Sequence, residues 1–286
     1  LWRHASLPLR RRVAVGAGGV SLVLVLSSVT PQMRGWLPAE WEMLACDVGQ
    51  GDASLVRTGE SSAILIDVGA EPDLVDKCLD VAHIHTIELL VVSHFHQDHV
   101  GGIAGVERDG RTVLRTVTSA FAQPAPGLAL LQTELSGPVE VASTGMTGQS
   151  GSVQWQVLMA LNPESASNPD GTTLNSSSVV LLVKTAHWHI LFTGDVETAA
   201  QEQLMAAIAP PNVDLIKVPH HGSRSQSPTF ARWVHAPAAW ISVGADNPYG
   251  HPNAETVRSY RTAGAAVFMT RDCGAIAVTA QHTVVS

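Results

Sequence analysis

A chain of 286 residues, 45% of them hydrophobic, has enough apolar content for one large domain or two small ones. Its formal charge of −8 excludes a protein that coats nucleic acid through bulk electrostatics, but not a nuclease, because bound divalent ions reverse the charge at a small site. Cys46, Cys78 and Cys273 form no Cys-x-x-Cys pair, so neither a zinc ribbon nor a disulfide framework is expected, and all three read as buried thiols.

In chain order, Arg10, Arg11 and Arg12 precede an uncharged run from Val13 to Met33, which ends at Arg34. A bilayer-crossing helix needs about 20 predominantly apolar residues. Residues 1–35 therefore read as an arginine-rich flank with a membrane span over 13–30, and residues 36–286 as a domain beyond it. The arginine excess before the span sets the flank in the cytoplasm and the domain on the extracytoplasmic side of the cell membrane. A start at Leu1 rather than Met reads as the tail of a longer polypeptide.

After that segment, MLACDV, ASLVR and SAILIDVG read as strands joined by GQGD and TGES turns. EPDLVDKCLDVAHI carries apolar residues at helical spacing, and IELLVV is a short buried strand. RTVLRTVTS and SVQWQVLMA read as strands around a Pro/Gly-rich segment, and NPESASNPDGTTLN as a long polar loop. SSVVLLVKTAHWHILFTGD reads as a hairpin turning near Thr185 to His187. Helices and strands then alternate through VETAAQEQLMAAI, VDLIKV, SPTFARWVH, AAWISVG, NAETVRSYRTAG, AVFMTR and GAIAVT. Polar motifs fall at strand ends throughout, as in a layered α/β protein whose loops carry the site.

The densest motif is SHFHQDHVGG, which sets His94, His96, Asp98 and His99 in a turn after a strand. Alternate residues in such a turn point to different sides, so one stretch can feed two adjacent ions. Imidazole and carboxylate without thiolate suit Zn²⁺, Mn²⁺ or Fe²⁺. LFTGD presents Asp195 at a strand tip, as a bridging ligand or as the cap of the next helix. Asp67, in LIDVG, is placed to orient the histidine loop by hydrogen bonds rather than to ligate. VPHHGS supplies one further ligand from His220 or His221, and the other histidine would donate a proton or hold substrate. SVGADNPYGHPN offers His251 as an acid and Tyr249 as a substrate contact. Lys217, Ser223 and Arg224 are candidates to hold phosphate, with Lys217 also assignable to structure alone.

Taken in order, these segments resemble the metallo-β-lactamase fold over residues 43–279, a four-layer αββα architecture. The run DVGQGDASLV, TGD, KVPHHGS, ISVGADNPYGHP and RDCGAIAV is similar to the C-terminal domain of the ComEC family of DNA-uptake channel proteins. The resemblance implies two divalent metal ions, Mn²⁺ or Zn²⁺, and a nuclease or phosphodiesterase acting on DNA during natural transformation, with a competence channel encoded upstream. The third histidine of the superfamily pattern is missing, and Asn175 sits where it is expected, beside the metal. Site one is then His94, His96 and Asp195, one protein ligand short. Site two is Asp98, His99, Asp195 and His221, or His220 instead. Asp98 would ligate and also orient the attacking water, and His251 or the spare histidine would protonate the leaving group. A metallo-hydrolase of a small ester or lactam, and a non-catalytic domain that uses metal only to fold, are the other readings. Scarcity of lysine (Lys77, Lys184 and Lys217) argues against a tight DNA binder.

Overall fold

Strand-forming runs dominate, and most are apolar enough to be buried on both faces. The computed structural model describes residues 36–163 and 169–286. The span expected at 13–30 lies outside the described residues, among which no helix is long and apolar enough to cross a membrane. The unit Ala39–Ser286 contains two sheets.

The first sheet is built from β1 (Trp41–Ala45), β2 (Ala53–Arg57), β3 (Ser62–Val68), β4 (Thr86–Val92), β5 (Thr112–Val113), β6 (Thr116–Thr118) and β7 (Val139–Val141). The second contains β8 (Thr147–Ser150), β9 (Val153–Met159), β10 (Val180–Lys184), β11 (His189–Phe192), β12 (Leu215–Lys217), β13 (Ala238–Ile241) and β14 (Ala266–Met269). The last strands, β15 (Ile276–Thr279) and β16 (Val284–Val285), return to the first sheet beside β1. Its order is β16-β15-β1-β2-β3-β4-β6-β7, with β5 also on β4; the second runs from β14 to β8 in descending order. In both, an antiparallel part passes into a parallel one, β3-β4-β6-β7 in the first and β11-β12-β13-β14 in the second.

Period-two alternation sends Ile64, Ile66, Leu89 and Val91 of the first sheet against Trp155, Leu181, Ile190 and Trp240 of the second, forming the central core. Ala63 and Leu65, pointing the other way, are also fully buried, as a sheet covered on its outer face requires. Helix α1 (Pro72–Val81) starts on a proline and buries Val75, Cys78 and Leu79 at helical spacing. It is followed by the single turn α2 (Gln97–Val100) and by α3 (Ala125–Glu134) and α4 (Gly171–Ser176). On the second sheet's outer face, α5 (Thr198–Ala207), α6 (Phe230–Val234) and α7 (Ala254–Thr262) bury Leu204, Phe230, Val257 and Tyr260 in a separate core. The resulting α/β architecture is helix, sheet, sheet, helix.

Three expectations need correction. Residues of the Pro/Gly-rich segment form α3, whose Pro126 and Gly127 are tolerated in its first turn. The long polar loop is interrupted by α4, nucleated when the Asp170 carboxylate accepts the Thr173 N–H at 2.8 Å. Cys46 and Cys78 are not free thiols but form a disulfide. Cys46 follows β1 and Cys78 lies in α1; folding brings their Cα atoms to 5.9 Å across 32 residues of sequence, a separation that resembles no motif. Cys273 alone is free.

Cross-linking a loop of this length removes chain entropy worth about 3–4 kcal/mol from the unfolded state. Reduction, or the pair Cys46→Ala and Cys78→Ala, should lower the melting temperature by roughly 5–10 °C in calorimetry. An unchanged transition would show that the bond adds nothing.

Candidate metal centre

The C-terminal ends of β3, β4, β11, β12 and β13 converge on one edge of the sandwich, and each delivers a polar group there. β3 ends with Asp67, β4 leads into Ser93 and His94, β11 into Asp195, β12 into His220 and His221, and β13 into Ser242. The turn after β1 closes the site from the side. Gly51, at φ +127°, lets that turn approach α2 so closely that an added Cβ would sit 2.2 Å from the Asp98 carbonyl oxygen, and the Asp52 N–H donates to that carbonyl at 3.0 Å. Three non-glycine residues here, Asp67, His220 and His221, hold φ near +50°, a conformation that persists only where surrounding contacts enforce it.

His99 and His221 are fully buried and built alike. His99 Nδ1 lies 2.9 Å from Asp67 Oδ2, and His221 Nδ1 donates to the Ser242 carbonyl at 2.8 Å. Those bonds put the ring proton on Nδ1 and leave each Nε2 as a bare donor. Neither Nε2 has a hydrogen-bond partner. Both face Asp195 Oδ2, at 3.3 Å from His99 and 3.4 Å from His221, and His221 Nε2 also faces Asp98 Oδ2 at 3.3 Å. Two ligand atoms about 2.05 Å from one tetrahedral ion lie about 3.3 Å apart. These separations suit a ligand shell, and a buried Nε2 facing a carboxylate needs a cation between them, a proton in the metal-free protein or a metal ion in its place.

Asp52, His99, Asp195 and His221 form a compact group with ligating atoms within 4.8 Å of one another. Within it, Asp52 approaches the rings from the Nδ1 side, 3.6 Å from His99 and 3.4 Å from His221, and bonds Lys217 Nζ at 2.6 Å. It stands behind the two histidines, opposite Asp98. A second pair of donors opens beside the first: His94 Nε2 and His96 Nδ1 converge to 2.9 Å, and His94 Nδ1 is held by the Ser93 and Ser178 hydroxyls.

The remaining expected residues divide by position. Asp67 accepts from the Ser93 N–H and hydroxyl at 2.7 and 2.8 Å besides bracing His99. Asp195 does not cap α5; the cap position belongs to Glu197. Asn175 donates to Glu197 Oε1 at 2.9 Å. A cleft of about 300 Å³ is lined by His96, Asp98, Asn175, His220, Tyr249 and His251, among others. Lys217 is not in it: its ammonium is buried and spent on Asp52, Asp195 and the Gly194 carbonyl, which removes it from contact with substrate. Ser223 is buried with its hydroxyl accepting from the Ser225 N–H, and Arg224 lines a different groove beside α7, so neither holds substrate in this cleft. Burial, with His220 and His221 adjacent, lowers His251 to about 4. Sequence reasoning missed Asp52, Glu197, Ser178 and Ser242. Only Asp52 carried a signal, a carboxylate directly after Gly-x-Gly at the start of a strand.

Residues 46–228, more than half of the chain, match the metallo-beta-lactamase superfamily, and the chain belongs to it. It is similar to the ComE operon protein 3 of Bacillus subtilis, 27% identical over 262 residues that cover 84% of this chain and 33% of that protein. It is likewise similar to the competence protein ComA of Neisseria gonorrhoeae, 28% identical over 236 residues, 80% of this chain and 31% of that one. The chain thus spans about a third of the length of these relatives. Among solved structures, the metallo-beta-lactamase fold protein YhfI from Bacillus subtilis aligns with a TM-score of 0.52 at 12% identity, covering 79% of this chain and 96% of that one. Zn²⁺-bound PqqB from Methylobacterium extorquens aligns at 0.51 and 11%, covering 77% and 85%. At such identities the likeness establishes the fold.

The field at the centre is that of a cation site. Burial disfavours charge on His99 and His221, yet Asp195 and the neighbouring carboxylates outweigh it and raise both rings well above the ordinary imidazole value of 6.5. Burial likewise opposes charge on Asp98 and Asp195, but the facing histidines hold both below the usual carboxylate range. His94 moves the other way, lowered by burial and by His99, and stays neutral as a ligand must. Because the folded-state values of His99 and His221 lie above the unfolded value, their contribution to stability is complete below about pH 6.5 and is lost as pH rises through the folded values. Metal-free protein should therefore melt at progressively lower temperature from pH 6.5 to pH 9, and saturating Zn²⁺ or Mn²⁺ should abolish that fall by replacing the protons. A metal-free melting temperature that rises over this range would contradict the assignment.

Proposed function

We propose that the chain is a two-metal hydrolase that cleaves phosphodiester bonds in DNA during its uptake. The observation that carries this reading is the form of the cleft. It presents Asp98, His96 and His220 at the ligand set and opens onto a rim where Tyr249, 70% exposed, stacks on His251 with ring centroids 6.1 Å apart. An exposed ring beside a metal centre is a platform for a nucleobase, whereas small apolar substrates call for an enclosing apolar wall. Kinship with a competence protein supports DNA as substrate. The disulfide supports an extracytoplasmic domain, since such bonds persist in oxidising compartments. Attachment through residues 13–30 and a channel partner belong to the same proposal.

Bound at these ligands, two divalent cations, Mn²⁺ or Zn²⁺, would supply Lewis-acid polarisation of the phosphoryl oxygens and a more acidic water. Asp98, partly exposed to the cleft and kept ionised by His99 and His221, would help hold the ions and orient an attacking water by accepting a hydrogen bond from it. Asp67 and Ser242 fix the tautomers of His99 and His221. Lys217 balances the buried charge of Asp52 and Asp195. At the rim the His251 backbone carbonyl accepts from Asn247 Nδ2 at 2.6 Å. No lysine or arginine lines the described cleft, so phosphate is held by cations and imidazoles.

The test is cleavage of labelled single- and double-stranded DNA by the full chain with Mn²⁺ or Zn²⁺, beside a chromogenic β-lactam. Asp98→Asn should lower kcat by about 10²–10⁴-fold. Tyr249→Ala should raise KM about tenfold with little change in kcat, the size of one lost base stack. Equal cleavage by wild type and Asp98→Asn, or turnover of the lactam alone, would sink this reading.

A further inference from the structure

We propose that His220 is the ligand that replaces the missing third histidine, so that adjacent histidines of one turn serve different ions, His221 one and His220 the other. The inference rests on the two-metal reading and assigns its incomplete position. His220 repeats the build of the two histidines discussed above. Its Nδ1 is 3.2 Å from a carboxylate, Glu197 Oε1, and its Nε2 faces Asp195 Oδ2 at 3.9 Å. All three rings are thus anchored through Nδ1 and turn Nε2 toward the same carboxylate oxygen. The 3.9 Å separation is wider than the 3.3 and 3.4 Å of His99 and His221.

The supports of His220 have no other evident task. Glu197 occupies the cap position of α5, yet its carboxylate makes no capping bond and is instead buried against Asn175 and His220. Asn175 stands where the third histidine was expected. Its amide nitrogen lies 3.4 and 3.5 Å from the two ring nitrogens of His220. One side chain therefore stands against the candidate third ligand and lines the same cleft as His96. The consecutive left-handed residues His220 and His221, at φ 49° and 50°, splay the two rings, with centroids 6.1 Å apart. The first site is then His94 Nε2, His96 Nδ1, His220 Nε2 and Asp195 Oδ2, and the ligand lost from one loop has been regained from another.

The experiment titrates Mn²⁺ and, separately, Zn²⁺ into the metal-free full chain by calorimetry, with elemental analysis after dialysis. Wild type should bind two ions, and His220→Ala should retain one tightly and bind the other at least about 30-fold more weakly. His220→Gln, which keeps a polar side chain of similar reach, carries the same expectation. Glu197→Gln should weaken only that ion, by about 10–100-fold. The metal-free melting temperature should be nearly unchanged in these variants while the metal-induced rise shrinks, which a purely structural role would reverse. Two ions bound with unchanged affinities in both His220 variants would overturn the assignment while leaving the two-metal reading intact, including the case in which His220 is only a proton donor. A wild-type chain that binds a single ion would overturn both.

Discussion

One buried carboxylate oxygen organises this molecule. Asp195 Oδ2 faces the Nε2 atoms of His99, His221 and His220, delivered by two loops, one from each sheet. Nothing in an apolar core favours that meeting, because an ionised carboxylate removed from water costs several kcal/mol unless it is compensated. Compensation comes from both directions. Lys217 stands on the Oδ1 side with Asp52 behind it, and imidazoles stand on the Oδ2 side. The lysine settles one oxygen within the protein, and the other is left for a cation.

That constraint explains features that would otherwise be separate oddities. Asp67, His220 and His221 hold left-handed backbone because their side chains must reach a common point from strands that end apart. Gly51 has no room for a side chain because the Asp52 turn must lie against the histidine loop. Serines line the edge, and the Ser178 hydroxyl takes the Asp195 N–H, touches His94 Nδ1 and donates to the Asn175 carbonyl. The two sheets supply rigidity, so the loops between them can be devoted to ligands.

Much of this was legible in the sequence, for a physical reason. Apolar runs of β-branched residues identified the strands around both cores, and the histidine and aspartate positions followed because each stands directly after such a run. What escaped was long-range. Cys46 and Cys78 look unrelated until α1 folds onto the sheet. Lys217 looks like a phosphate ligand until β12 is seen to be buried on both sides. Glu197 is an unremarked helix-start residue whose partner His220 lies in another loop. The short helix α4 was hidden in a polar stretch because a capping aspartate is a weaker signal than a hydrophobic stripe. The family resemblance implied two metal ions, but it could not say what stands in for the missing third histidine.

The central claim is that Asp195 joins two ions held by separate histidine sets. Anomalous diffraction from crystals of the Mn²⁺- or Zn²⁺-loaded protein tests it most directly. Two peaks about 3.5–4 Å apart flanking Asp195 are expected, one among His94, His96 and His220 and the other among Asp98, His99 and His221. A single peak, or an ion placed between Asp52 and Lys217, would contradict the account.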